Sequence, residues 1–329
     1  MGNKNITGEC TFEEIANQWL EWKRERVKES SLAVYDQCLR KQILPDFGHV
    51  LLADLTESTC NELLKRKIEQ GNSRNQRPLS WKTVSDMRSV LHMVLLYASS
   101  HGFPQLSGIH LMLKTPMKSD MQILTWDEQC QLMEYLINYL TPVNLGILIA
   151  MFSGLRIGEL CGLRWSDFDF HYGIIRVSRT VIRIRDITGE TGNKTKLIIT
   201  NPKTAHSVRT IPIPSDIITI IEPLCGDQDS YLLTGTHQFM EPRRLHDKYK
   251  AILKTVGLPD YRFHALRHGF ASRCIEQNFD IKTLSEIMGH SSVKITYDTY
   301  IHLWKGALDT ATDALDETFK LDDDFTVKP

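Results

Sequence analysis

The chain has 329 residues, 42% of them hydrophobic and 24% charged, an ordinary globular composition that excludes a disordered or fibrous chain and is long enough for two domains. Its 39 basic and 40 acidic residues leave a net charge of −1, so overall charge does not point to a nucleic-acid partner, although residues 176–209 hold eight Lys/Arg against Asp186 and Glu190 while residues 309–329 hold seven acidic residues against two lysines. Seven cysteines without a C-x-x-C pair exclude a disulfide framework and a zinc knuckle, Glu9, Glu13 and Glu14 stand where a signal peptide would be apolar, and the most apolar run, Val143 to Phe152, is half the ~20 residues of a membrane span. These features predict a cytoplasmic protein.

Taken in order, the elements begin with a capping box. Thr11 and Glu14 precede Phe12, Ile15, Trp19 and Trp22, spaced for one helical face. Ser30 or Ser31 caps a second helix carrying Leu32, Tyr35, Leu39 and Ile43, with Pro45 as its stop. A third helix is predicted from Thr56 towards Glu69, before Gly71, and a fourth from Ser80 to Ser99 with Val84, Met87, Val90, Leu91, Val94 and Leu95 inward. Residues 101–122, with Gly102, Pro104, Gly108 and Pro116, read as a linker. Thr125 and Glu128 form a second capping box, and helix continues through Ser153. Strand-like runs follow at 174–185, 195–200 and 210–213, then helices near 215–223, 241–256, 264–277, 280–288 and 292–303. The fold class expected is mainly α with a small antiparallel β-sheet (α+β): a helical domain over 1–100, a linker over 101–122, a second domain over 123–304 and an acidic tail over 305–329.

Four short motifs carry chemical possibilities. In Ser153-Gly154-Leu155-Arg156-Ile157-Gly158-Glu159, a helix ends and another begins with Arg156 and Glu159 on one face; the arginine fork suits a phosphate with the glutamate behind it, or is an ordinary helix-start ion pair. His264-Ala265-Leu266-Arg267-His268 puts His264, Arg267 and His268 on one face; the i, i+4 histidines resemble half of a zinc site, but Ala265 stands where the glutamate of H-E-x-x-H would be. That leaves His268 as a structural or solvent-facing neighbour. Gly289-His290 sits between two helices, and ten residues after His290 comes Tyr300. Lys203 lies in a turn between two strands, where a lysine is ordinarily a solvated charge.

The order and spacing of these boxes, with Ile301-His302 after the last tyrosine, resemble the tyrosine recombinases, the phage-type integrase family, over essentially the whole chain. The resemblance implies an amino-terminal helical core-binding (SAM-like) domain, a catalytic domain, and site-specific recombination without a metal or other cofactor. Tyr300 would attack a DNA phosphodiester to give a 3′-phosphotyrosine and a 5′-hydroxyl; Arg156, Arg267 and His290 would hold the phosphate oxygens. His264 would bind the phosphate or help remove the tyrosine proton, Lys203 would protonate the leaving oxygen, and Glu159 would orient Arg156 or His264. Tyr297, one turn earlier, is the rival nucleophile, and His302 favours Tyr300.

For DNA contacts, the expected residues are Arg176, Arg179, Arg183, Arg185, Lys194, Lys196 and Arg209, about half of them facing the duplex, together with Lys23, Arg24 and Lys28 at the end of the first helix. The latter cluster equally fits a solvated helix end. Only about ten residues precede the first helix, a layout similar to Xer-type recombinases and compact mobile-element integrases that argues against arm-site binding. The resemblance further implies double-stranded DNA attachment or core sites as partner, self-association to a tetramer on DNA, a docking tail in trans, an association with the nucleoid and no membrane, and leaves room for an accessory excision factor. Integration or excision of mobile DNA leads; Xer-like dimer resolution, a type IB topoisomerase, a non-catalytic DNA-binding regulator and a zinc hydrolase are the alternatives.

Overall fold

The structure is a computed structural model that describes residues 10–71, 77–114, 122–189, 191–200 and 208–300. These fall into two compact units, one drawn from Met1–Asp120 and Ile184–Lys196, the other from Met121–Arg183 and Leu197–Pro329.

In the first unit, α1 (Phe12–Arg24) starts at the Thr11/Glu14 capping box, both halves of which form. It is followed by α2 (Glu29–Cys38), α3 (Leu44–Phe47), α4 (Glu57–Glu69) and α5 (Trp81–Ser99). Pro45 does not stop the second helix as expected. The chain passes from α2 into a π-helical turn, Leu39–Ile43, and Pro45 then occupies the first turn of α3, a place where its missing N–H has no intrahelical partner to lose. The core joins Phe12, Ile15 and Trp19 of α1 to Leu63 and Leu64 of α4 and to Val84, Met87, Leu91 and Val94 of α5. Phe103, Leu106 and Ile109, from the stretch expected as linker, are buried in the same core. Residues 184–196, although distant in sequence, also belong here: Arg185 pairs with Asp36 at 2.8 Å, Lys196 with Glu29 at 2.8 Å, and Ile187 packs on the core.

The second unit opens with α6 (Trp126–Asn138), started by the Thr125/Glu128 capping box, and α7 (Pro142–Ser153). Leu145 through Ala150 of α7 are buried on every side, which explains why this helix is apolar all round instead of along one stripe. After the short α8 (Ile157–Cys161) come β1 (Phe168–Asp169), β2 (Ile174–Val177), β3 (Thr180–Arg185) and, after residues 184–196 of the first unit, which hold the end of β3 and the start of β4 (Thr195–Thr200), the rest of β4 and β5 (Arg209–Pro212). The expected run 174–185 is two strands, because β2 joins an antiparallel β1-β2-β5 sheet while β3 pairs with β4. The chain then forms α9 (Ser215–Ile221), α10 (Pro242–Val256), α11 (His264–Glu276), α12 (Ile281–Met288) and α13 (Val293–Tyr300). The fold is mainly helical with small antiparallel sheets. Among the described residues, no helix is long and apolar enough to cross a membrane.

Candidate active site

α7 ends at Gly154, whose φ of 62° is the left-handed conformation that lets the chain turn directly into α8. Arg156 is the N-cap residue of α8, and its backbone N–H donates to Glu159 Oε2 at 2.9 Å. Its guanidinium donates from Nη1 to Glu159 Oε1 at 2.9 Å and from Nη2 to the Gly289 carbonyl at 3.0 Å, leaving the side chain 39% exposed. Glu159 is buried. Burial alone would raise its pKa, but the hydrogen bonds and charge of Arg209, then the charge of Arg156, outweigh it and hold the carboxyl at about 2.

Arg267 is on the first turns of α11, against α7, and is almost wholly buried. It donates to the Gly154 carbonyl at 2.6 Å and to the carbonyl of Met288. Burial, then the like charge of Arg156, lower its pKa. His264, the first residue of α11, keeps an exposed edge; its pKa is lowered by partial loss of solvent and by Arg267 and Arg156. His290 lies just beyond α12, its Nδ1 hydrogen-bonded to Thr296 Oγ1 at 2.8 Å, and its pKa is pushed down to about 4 by burial and by Arg267, Arg156, Arg209 and His264. Tyr300, at the end of α13, is 1% exposed, and burial pushes its phenol up to about 12 against the opposing charge of Arg267. Tyr297, its rival, is 49% exposed.

One further residue enters the site. The sequence pattern casts His268 as a structural or solvent-facing neighbour, yet its Nδ1 is hydrogen-bonded to the Tyr300 hydroxyl at 2.8 Å. Its ring packs edge-to-face on His264, with centroids 4.6 Å apart. Burial, His264 and Arg267 push its pKa down to about 4. The signal for this role is its i, i+4 spacing from His264. Glu159, expected on Arg156 or His264, binds Arg156 and Arg209; among the described residues its oxygens have no hydrogen bond to His264.

The basic stripe is largely spoken for. Arg209, expected on DNA, is buried: Nη1 and Nη2 grip Glu159 at 2.9 and 2.8 Å, and Nε donates to the Ile287 carbonyl at 2.7 Å. Arg179 is bound to Asp167 at 2.5 Å and to the Gly162 carbonyl, and so braces a buried carboxylate. Arg183 pairs with Glu241 at 2.7 Å, and Arg185 and Lys196 with the acidic partners named above. Arg176 on β2 and Lys194 are exposed. In the first unit, Lys23 lies over the Trp19 and Trp22 rings and Arg24 pairs with Glu21 at 3.0 Å, an exposed contact too weak to hold it from a phosphate. Lys28 is the N-cap residue of α2. Lys203, His302 and the acidic tail lie outside the described residues.

The α12 terminus organises the centre. A helix leaves its last carbonyls without intrahelical partners. Here the Ser285 and Glu286 carbonyls accept from the backbone of His290 and Gly289, and those of Ile287, Met288 and Gly289 accept from Arg209, Arg267 and Arg156. Three guanidiniums thus collect at the negative end of one helix, and none is buried without an acceptor.

Three arginines, three histidines and a tyrosine thus meet from separate segments, and these are residue types able to bind a phosphate and stabilise charge developing on it. The sequence agrees with a known family. Residues 122–306 match the profile of the phage integrase family and residues 11–68 that of the phage integrase N-terminal SAM-like domain. The chain belongs to the phage integrase family. It is 33% identical over 189 residues to a XerC-like tyrosine recombinase of Caldanaerobacter subterraneus subsp. tengcongensis, covering 52% of this chain and about half, 48%, of that protein. It is 26% identical to the putative prophage phiRv2 integrase of Mycobacterium tuberculosis over 90% of this chain and 75% of the other. The fold is similar to that of the Tn1549 transposon integrase in complex with transposon right end DNA, with a TM-score of 0.72 at 21% identity over 93% of this chain and 99% of the other.

Proposed function

We propose that this protein is a site-specific DNA recombinase that breaks and rejoins double-stranded DNA through a 3′-phosphotyrosine on Tyr300, and that it integrates or excises mobile DNA. The observation that carries this reading is the convergence of Arg156 and Arg267 on the end of α12, of His290 on Thr296 of α13, and of His264 on the His268 ring that bonds Tyr300. The similarity to a prophage integrase over nine-tenths of the chain supports the mobile-element role.

In the proposed reaction Arg156, Arg267 and His290 hold the non-bridging oxygens of the scissile phosphate and balance charge as it grows there. The Tyr300 oxygen attacks phosphorus, the bond to the 5′-oxygen breaks, and that oxygen takes a proton from Lys203. The phenol proton leaves toward His268, the group at 2.8 Å, a place the family resemblance offers to His264. His264 then serves the phosphate. Because the phosphodiester is exchanged for a phosphotyrosine ester, religation by a new 5′-hydroxyl reverses the same steps without an external energy source. Glu159 holds Arg156. Strand exchange would need four copies on DNA, with the acidic tail as an intersubunit contact, an accessory factor setting direction, and the nucleoid as the working location.

The test is covalent capture in EDTA. The protein is incubated with fragmented, nicked DNA of its source genome, denatured in SDS, and the attached DNA is sequenced, with Tyr300→Phe as control. Adducts absent in that variant and clustered at the ends of an element support the proposal. Junctions at one chromosomal site favour dimer resolution, and dispersed junctions a topoisomerase. DNA binding without any adduct favours a non-catalytic regulator.

A further inference from the structure

Arg209 spends every nitrogen of its guanidinium inside the protein, two on Glu159 and one on the Ile287 carbonyl, at 8% exposure. We infer that Arg209 is a positioning residue for the transfer reaction: by occupying both oxygens of Glu159 at the end of α12, it keeps the outer edge of Arg156 free for the scissile phosphate. The inference rests on the recombinase reading above.

Two cations compete for one acceptor. A buried carboxylate must be paired, and its most favourable partner is a two-pronged guanidinium. Arg156 and Arg209 both reach Glu159. Arg209 takes it in the two-pronged manner, so the Arg156 guanidinium meets the carboxylate through Nη1 alone, beside the bond from the Arg156 backbone N–H. With one further hydrogen committed to Gly289, three of the five N–H donors of an arginine remain at Arg156 for an anion. Without Arg209, Glu159 would draw the Arg156 fork onto itself and spend those donors.

The placement of Arg209 also ties together parts that meet nowhere in sequence. It opens β5, where it pairs with Val177 of β2, and it reaches α8 through Glu159 and α12 through Ile287. A Cβ on Gly289 would fall 3.0 Å from the Cδ, Nε and Cζ of Arg209, so the residue before His290 must be bare for the arginine to lie there. Arg209 thereby sets the Arg156 fork and the His290 segment against one another.

The experiment measures the rate of SDS-stable adduct formation by the full chain as a function of the concentration of fragmented, nicked source-genome DNA in EDTA. The variants are Arg209→Lys, Arg209→Met and the double variant Arg209→Met/Glu159→Gln, each checked for folding by thermal melting. The half-saturating DNA concentration is expected to stay within about twofold, while the limiting rate falls roughly 10-fold in the lysine variant and roughly 100-fold in the methionine variant. The double variant, which lacks the carboxylate that would capture Arg156, is expected to regain about tenfold over Arg209→Met. A scaffold role without positioning would leave the limiting rate of the folded fraction unchanged and overturns the inference. So does a weakened DNA affinity at an unchanged limiting rate, which marks a phosphate contact. If Arg209→Met does not fold, a wild-type limiting rate in folded Arg209→Lys overturns it equally. A wild-type chain that forms no adduct defeats the recombinase reading and this inference together, whereas a wild-type adduct with unaffected variants defeats this inference alone.

Discussion

The hydroxyl of Tyr300 and Nδ1 of His268 are hydrogen-bonded at 2.8 Å, joining the end of α13 to the first turns of α11. The tyrosine is almost wholly enclosed, so its hydroxyl has no recourse to water if the histidine is lost. His268→Phe leaves that group unpaired and is expected to cost about 1–3 kcal/mol, whereas Tyr300→Phe, which removes the hydroxyl itself, is expected to cost less than about 1.5 kcal/mol. In a double-mutant cycle read by urea unfolding, the two should couple by about 1 kcal/mol. Strictly additive effects would mean the bond does not form in solution.

The two tyrosines of α13 separate by exposure. Tyr297→Phe is expected to change stability by no more than about 0.5 kcal/mol, as for an exposed substitution, and to leave covalent DNA capture within about twofold. Tyr300→Phe should abolish capture. An adduct that survives in Tyr300→Phe and disappears in Tyr297→Phe would reverse the assignment of the nucleophile.

Protonation should destabilise the site. His268 and His290 are both pushed down to about 4 from an unfolded value near 6.5, foremost by burial and then by neighbouring positive groups. Between those values the unfolded chain binds the extra protons. The stability gained from keeping the rings neutral is therefore complete above pH 6.5 and is lost as pH falls towards 4, at about 1.4 kcal/mol per pH unit for each histidine. Urea unfolding between pH 7 and 5 measures the slope, and His268→Asn should remove one histidine's share. An unchanged slope in that variant would show that the pH dependence does not arise from the half-buried His268 ring.

Gly289 and Gly257 provide a matched comparison. Both follow a helix with positive φ, 62° and 82°, but a Cβ at Gly289 meets Arg209 at 3.0 Å while one at Gly257 meets nothing within 4 Å. Alanine at Gly257 should cost about 1 kcal/mol for the left-handed backbone. Alanine at Gly289 should cost about 1–2 kcal/mol more, because the buried arginine fork must shift. Equal unfolding midpoints in the two variants would show that Arg209 yields at no cost.

Among the basic residues, exposure separates the side chains available to a phosphate from internal braces. Arg176→Gln is expected to lower the magnitude of the slope of log binding constant against log salt by about 0.9, one phosphate's worth. Arg179→Gln should leave that slope unchanged and cost about 1–3 kcal/mol, since Asp167 is buried and loses its guanidinium. Salt titration of DNA binding and urea unfolding distinguish the two, and an altered salt slope for Arg179→Gln would place it on the duplex.

Much of the helical scaffold is legible without coordinates. Thr11/Glu14 and Thr125/Glu128 announce their helices because a capping box is complete within four residues, and Gly154 and Gly289 mark helix ends through a backbone conformation that other residues resist. The boxes around Arg156, His264, Arg267, His290 and Tyr300 are readable for the same local reason, and the family resemblance supplies their joint meaning. Pro45 misleads because proline forbids a helix interior but not a first turn, and the π-helical turn before it has no comparable sequence mark. The run 174–185 looks like one strand because alternation says nothing about which partner each half will find.

Charge was decided at the tertiary level. A row of arginines reads alike whether it faces phosphate or carboxylate. Arg209 meets Glu159 from 50 residues away and Ile287 from 78, His268 meets Tyr300 from 32, and Arg185 meets Asp36 from 149. Capping boxes and left-handed glycine helix ends follow from forces acting within a few residues, and the sequence alone determined them, whereas α2 begins after Lys28 and not at the expected Ser30 or Ser31. Which cations stay in water and which are buried against a carboxylate depends on faces brought together by packing, because the desolvation of a charge is set by everything around it.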